Sequence, residues 1–144
     1  CGCIVMHPGD PDDLNGAGGD ILERVRAFFE KKTTEAEQHG VNKNRLCFDP
    51  GIGFGKTNEE NFALIANPEK IRVPGTALLM AASRKRVIGA VCGNPPFEDR
   101  MAGTVAAHTA SVLFGADMVR AHDTFETVQA ARVADAIKQF RKGV

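Results

Sequence analysis

The sequence has no excess of charge of either sign: 18 Lys and Arg stand against 18 Asp and Glu in 144 residues. Without a run of like charge, that balance offers no electrostatic footprint for nucleic acid or an anionic membrane. Nor is there any stretch approaching the roughly 18 uninterrupted apolar residues of a membrane-spanning helix, or a signal-peptide pattern. Its four cysteines lack metal-site spacing: Cys1-x-Cys3 is not C-x-x-C, and no histidine pair stands at ligand spacing. No metal ligand is therefore expected in this chain. Cys3 and Cys47 lie in apolar, strand-like runs, where a free thiol behaves as a small buried hydrophobe. Unpaired cysteines of this kind fit a cytoplasmic protein. The chain starts at Cys1 inside a strand-like run, with no initiator Met, and is expected to be a piece of something longer.

What is present is an alternation of elements. "CGCIVMH" is a short apolar run, closed by turn residues Pro8, Gly9, Asp10 and Pro11. A helix is predicted from Asp20, as N-cap, to Gln38, with Ile21, Leu22, Val25, Phe28 and Phe29 on the helical repeat and Gly40 as its stop. "RLCF" reads as a second strand, and a helix over Glu59 to Ala66 follows, closed by Pro68. "TALLMAA" reads as a third strand, with helices over "SRKRVIGAV" and Phe97 to Phe114 after it. "ADMVRA" reads as a fourth strand. The last helix, Thr124 to Phe140, carries Val133, Ile137 and Phe140 on one stripe. Four βα units with strands apolar on both faces predict a parallel α/β sheet, either a small open sheet or half of an eight-fold barrel.

Between the second strand and its helix lies "DPGIGFGK", residues 49–56. It imitates a phosphate loop but fails the spacing: Gly51 and Gly55 are separated by three residues, where a P-loop needs four, and the glycines read G-x-G-x-G, not G-x-G-x-x-G. Parallel α/β folds collect functional groups just beyond the carboxyl ends of their strands. Here those ends offer Met6 and His7, then Asp49, then Ser83, Arg84 and Lys85, then Arg120, His122 and Asp123. Taken singly, each has a plain structural alternative. Asp49 fits an Asx-type loop bond, Ser83 a helix cap, and His122-Asp123 a cap for the last helix. Phe54 fits a buried loop anchor. His108 shares a stripe with Met101, Val105 and Val112 and reads as a core histidine. Four polar strand ends in succession are not needed for folding. Together they suit a ligand with a hydrogen-bonding heterocycle at one end and an anion at the other.

"FDPGIGFGK", "ASRKRVIG" and "VRAHD" resemble three signature segments from the C-terminal half of dihydropteroate synthase. "FEDRMAGTVA" is similar to a fourth, with Arg100, Gly103 and Ala106 in place, and Asn61 fits as well. The resemblance runs along essentially the whole chain. It implies a TIM (β/α)8 barrel of which residues 1–144 form a partial pterin-binding domain, strands 5–8 with their helices. It implies a transferase of folate biosynthesis, the target of sulfonamides. That enzyme joins 6-hydroxymethyl-7,8-dihydropterin pyrophosphate to p-aminobenzoate, giving 7,8-dihydropteroate and pyrophosphate. On the resemblance, Lys85, Arg120 and His122 are catalytic, and Asp49, Gly53, Phe54 and Ser83 join them in substrate binding. Asp49 would accept the pterin's amino-pyrimidine edge, Lys85 would reach pterin and p-aminobenzoate, Arg120 and His122 would bind pyrophosphate, and Phe54 would line the p-aminobenzoate site.

The chain departs from the family pattern at Ala81, usually Gly, at Ala121, often Val, and in a turn, "MHPG", one residue shorter than usual. The family's first four strands and two closing loops are absent, and with them the ligand expected for Mg2+. The chain alone is therefore expected to be inactive, and to form a homodimer or associate with its missing N-terminal half. Two alternatives stay open: a non-catalytic half-barrel that binds pterin or serves as a scaffold, and a pterin-binding methyltransferase domain, against which the S-R-K segment argues.

Overall fold

The computed structural model describes residues 1–9 and 19–141; the turn expected at Asp10 and Pro11 lies outside them. Four strands, β1 (Cys3–Met6), β2 (Leu46–Asp49), β3 (Ala77–Met80) and β4 (Met118–Val119), form one sheet in the order β1-β2-β3-β4. Every neighbouring pair is parallel, with Met6 beside Asp49, Phe48 beside Leu78, and Met80 beside Val119. Among the described residues six α-helices connect or follow them: α1 (Ile21–Gln38), α2 (Asn58–Ala66), α3 (Pro68–Ile71), α4 (Arg86–Val91), α5 (Met101–Leu113) and α6 (Thr124–Arg141).

Local chemistry explains the boundaries. Asp20 caps α1 by accepting the Leu22 N–H at 2.9 Å, and Gly40 leaves the helix at a φ of 77°. Helix α2 starts with a capping box: the Thr57 hydroxyl accepts the Glu60 N–H and the Glu60 carboxylate accepts the Thr57 N–H. Pro68, expected to close that helix, instead opens the one-turn helix α3, since its missing N–H costs nothing at a first helical position. Strand β4 is shorter than its apolar run, two residues where six are predicted.

One face of the sheet meets the helices. Phe48, Leu78 and Met80 pack there against Val25, Phe29, Leu64, Ile71 and Val87, and Phe29 stacks on Phe48 with ring centroids 4.5 Å apart. The other face is thin: Cys47, Leu79 and Ala81 form a separate small cluster with Ala77. At the edge strands Ile4 is 65% and Met118 46% exposed. Cys3, expected to be buried, is also exposed, because β1 has a neighbour on one side only. The stripe Val133, Ile137 and Phe140 on α6 exists but faces solvent; α6 buries Thr127 and Ala134 instead. No helix among the described residues is long and apolar enough to cross a membrane.

His108 is a core histidine, 1% exposed. Its Nε2 accepts the Ala82 N–H at 3.3 Å, which puts the ring hydrogen on Nδ1, an atom with no hydrogen-bond partner. Burial lowers its pKa from 6.5 to about 4. The unfolded chain therefore takes up a proton on this ring that the folded chain refuses. The associated stability is complete above pH 6.5 and is lost as pH falls toward about 4. That loss is on the order of 3 kcal/mol. Denaturation at a series of pH values is expected to show this loss, and His108→Gln is expected to flatten it. An unchanged slope in the variant would contradict the assignment.

Candidate functional site

Because β1 to β4 run parallel, their carboxyl ends line up on one edge, and the segments leaving them meet there. Ala81, Ser83, Lys85, Arg120, Ala121 and His122 line a cavity of about 240 Å3 at the β3 and β4 ends. Ser83 is buried, and its hydroxyl accepts the His122 backbone N–H at 3.1 Å and lies 2.9 Å from His122 Nδ1. Which of the two donates depends on the imidazole tautomer, since the hydroxyl oxygen has room for a second hydrogen bond. Arg120 is fixed through its backbone, whose N–H donates to the Met80 carbonyl at 3.0 Å. Its guanidinium is exposed and takes no partner among the described residues.

Lys85 links this cavity to the glycine loop. Its ammonium donates to the Ile52 carbonyl and stands 4.5 Å from the centre of the Phe54 ring. Burial lowers the Lys85 pKa, the Asp49 carboxylate opposes that, and Arg120 adds to it. An anion entering beside Lys85 and Arg120 would offset both penalties.

The glycine loop is shaped by close approach. Asp49 is 2% exposed, and its Oδ1 accepts the Gly51 N–H at 2.8 Å, an Asx-type turn. Its second oxygen takes no hydrogen bond among the described residues, so the structural role leaves one acceptor over. Gly53 has a φ of 81°, and a Cβ there would stand 3.0 Å from Lys85 Cδ. Asn61, buried, accepts the Gly53 N–H at 2.7 Å and donates to the Thr57 carbonyl at 2.6 Å; the Lys56 ammonium donates to the Phe54 carbonyl at 3.0 Å. Phe54 is thus held 43% exposed, not buried as an anchor.

Of the residues expected at the site, Ser83, Lys85, Arg120 and His122 share the cavity, and Phe54 and Gly53 reach it through Lys85. Asp49 lies one strand over, close enough to act on the Lys85 charge. His7 does not join them: its ring packs edge-on against Phe28 of α1, centroids 4.9 Å apart, and its Nδ1 accepts the Gly9 N–H. The sequence places Arg84 and Asp123 at strand ends but gives no sign of their pairing or of Phe97 beside them. The Arg84 guanidinium pairs with the Asp123 carboxylate, and Phe97 packs against both Arg84 and His122.

The chain matches the profile of a family described as pterin binding enzyme over residues 1–122. It is 36% identical to the dihydropteroate synthase of Synechocystis over 137 residues, covering 93% of this chain and 47% of that protein. Among solved structures, dihydropteroate synthase from Burkholderia cenocepacia complexed with 7,8-dihydropteroate superposes with a TM-score of 0.87 at 34% identity, over 99% of this chain and 55% of that one. The enzyme from Xanthomonas albilineans with 4-aminobenzoic acid gives 0.84 at 37%, over 94% and 48%. The chain spans about half the length of the curated relatives it matches. Its four βα units are half of a (β/α)8 barrel.

Gly53→Ala tests the loop. A left-handed φ costs an alanine roughly 1–2 kcal/mol, and the added Cβ pushes on the Lys85 stem. Chemical denaturation is expected to show a loss of that size. An equally stable variant would mean that the loop takes another path.

Proposed function

The chain belongs to the pterin binding enzyme family, and from that premise we propose that it is the strand 5–8 portion of a dihydropteroate synthase. The observation that carries this reading is the convergence of Ser83, Lys85, Arg120 and His122 on one cavity beside the Asp49–Phe54 loop. In the proposed reaction the arylamine nitrogen of p-aminobenzoate bonds to the exocyclic methylene of the dihydropterin. The bond from that carbon to pyrophosphate oxygen breaks, pyrophosphate leaves, and the amine sheds a proton.

Each residue has a part consistent with its geometry. The unused Asp49 oxygen, together with Oδ1, is suited to N–H groups of an amino-pyrimidinone edge. The Arg120 guanidinium is able to stack on a π-face while donating to phosphate oxygens. Lys85 and Arg120 as cations, and His122 as an N–H donor, are suited to the negative charge that grows as pyrophosphate departs, and preorganised donors there lower the barrier. The Phe54 ring and the Gly53 backbone flank the path for p-aminobenzoate. Relatives whose structures hold 7,8-dihydropteroate or 4-aminobenzoic acid support these substrate classes.

Among the described residues no group of three or more His, Cys, Asp or Glu fits a metal ion. Magnesium ligation by the part of the relatives that this chain does not span belongs to the same proposal, and no step above runs through it. Sulfonamide competition and a cytoplasmic setting belong to the same proposal.

The exposed edge-strand residues Ile4 and Met118 support a need for a partner, either a second copy or the other half of the barrel. Sedimentation is expected to show association at micromolar concentration; a compact monomer would contradict this. In calorimetry the chain is expected to bind pyrophosphate weakly, with Lys85→Ala and Arg120→Ala each costing roughly tenfold. In a complete barrel the same changes are expected to reduce turnover strongly without unfolding it. Incubated alone with dihydropterin pyrophosphate, p-aminobenzoate and magnesium, the chain is expected to form no dihydropteroate. Robust product would mean that two copies rebuild a working barrel, while no binding of pyrophosphate or pterin would favour a scaffold.

A further inference from the structure

Arg84 carries no role in the reading above, yet it is the most constrained residue of the rim. It has a φ of 57°, a left-handed backbone that an arginine adopts only when its surroundings hold it there. Its N–H donates to the Thr104 hydroxyl at 2.9 Å, and its carbonyl accepts from the Arg100 guanidinium at 3.1 Å. Its own guanidinium grips Asp123 with two nitrogens, Nε at 2.9 Å from Oδ2 and Nη2 on Oδ1, and lies 5.1 Å from the Phe97 ring centre. Its side chain and that of Asp123 are only 20% and 13% exposed. Two of the guanidinium's N–H groups are thus committed to Asp123.

The neighbouring pair repeats the pattern. Ser83 bonds His122 while Arg84 bonds Asp123, so two consecutive residues of the β3 loop hold two consecutive residues of the β4 loop. Phe97 covers both pairs, edge-on to His122 with centroids 5.3 Å apart. Lys85 leaves the β3 loop directly after Arg84, and Arg120 leaves β4 two residues before His122. The relative position of the cations on either side of the cavity therefore depends on this double crosslink.

We propose that Arg84 and Asp123 form a clamp that positions Lys85 and His122 across the cavity, with neither of them touching the ligand. The effect on ligand rests on reading that cavity as the pyrophosphate site; the clamp itself does not. A bidentate guanidinium–carboxylate pair fixes both distance and angle, and a lysine in place of Arg84 keeps the charge but loses the fork.

Charge and position make opposite demands at Asp123, which makes the clamp testable. If Asp123 mattered only as a negative charge beside an anion site, Asp123→Asn would tighten pyrophosphate binding. As half of a positioning clamp, Asp123→Asn is expected to weaken it, by roughly threefold or more in calorimetry on the full chain. Arg84→Gly, which accepts the left-handed backbone without strain, is expected to weaken it further, and Arg84→Lys to restore part of the loss. A second readout needs no ligand. In both Asp123→Asn and Arg84→Gly, hydrogen exchange of the His122 amide is expected to quicken roughly tenfold, while the Phe48 and Leu78 amides keep their rates. Binding unchanged or tightened in Asp123→Asn, or exchange unchanged or quickened equally everywhere, would overturn the clamp. Should the wild-type chain bind no pyrophosphate, the functional reading falls, and the exchange measurement still decides the clamp.

Discussion

Parallel strands joined by helices must all end on the same edge of their sheet, because each crossover carries the chain back to the opposite edge before the next strand starts. In this protein β1 to β4 are paired in chain order, so four outgoing loops stand side by side. Asp49 is 34 positions from Ser83 in the chain, yet its charge acts on Lys85, two residues further on. That neighbourhood follows from strand pairing, not from any local motif. The glycine loop, the S-R-K turn and the Arg120–Asp123 segment gain meaning only through it.

The same sheet has two unlike faces. Its helix-facing side is a filled core, with Phe29 stacked on Phe48 and Leu78 and Met80 fully covered. Its other side bears a smaller cluster of Cys47, Ala77, Leu79 and Ala81. Ile4 and Met118 stand uncovered at the two edges. Further strands would cover both edges, and the chain spans about half the length of the curated relatives it matches.

Most of the fold was legible in the chain because apolar runs broken by Pro, Gly and Asp mark strand ends directly. Asp49 and Arg120 could be placed on one rim for that reason. The signature segments made the family legible as well. What periodicity does not carry is which way a side chain turns or what covers a helix. His7 ends its strand on schedule but turns onto Phe28, away from the cavity. Val133, Ile137 and Phe140 form the expected stripe on α6, while small residues Thr127 and Ala134 make the buried contact. The Arg84–Asp123 pair, 39 residues apart, left no local signal. Arg84 sits in a charged triplet that reads equally well as solvated surface, and only its left-handed backbone and four partners reveal its constraint.

The central claim is that the strand ends of this half-barrel form one ligand-binding rim. Backbone chemical-shift mapping of the isotope-labelled chain, titrated with 7,8-dihydropteroate, tests it most directly. The account predicts perturbations concentrated on Asp49 to Phe54, Ser83 to Lys85 and Arg120 to His122. Perturbations confined to the outer helices around Met101 and Val133, with that rim silent, would contradict it.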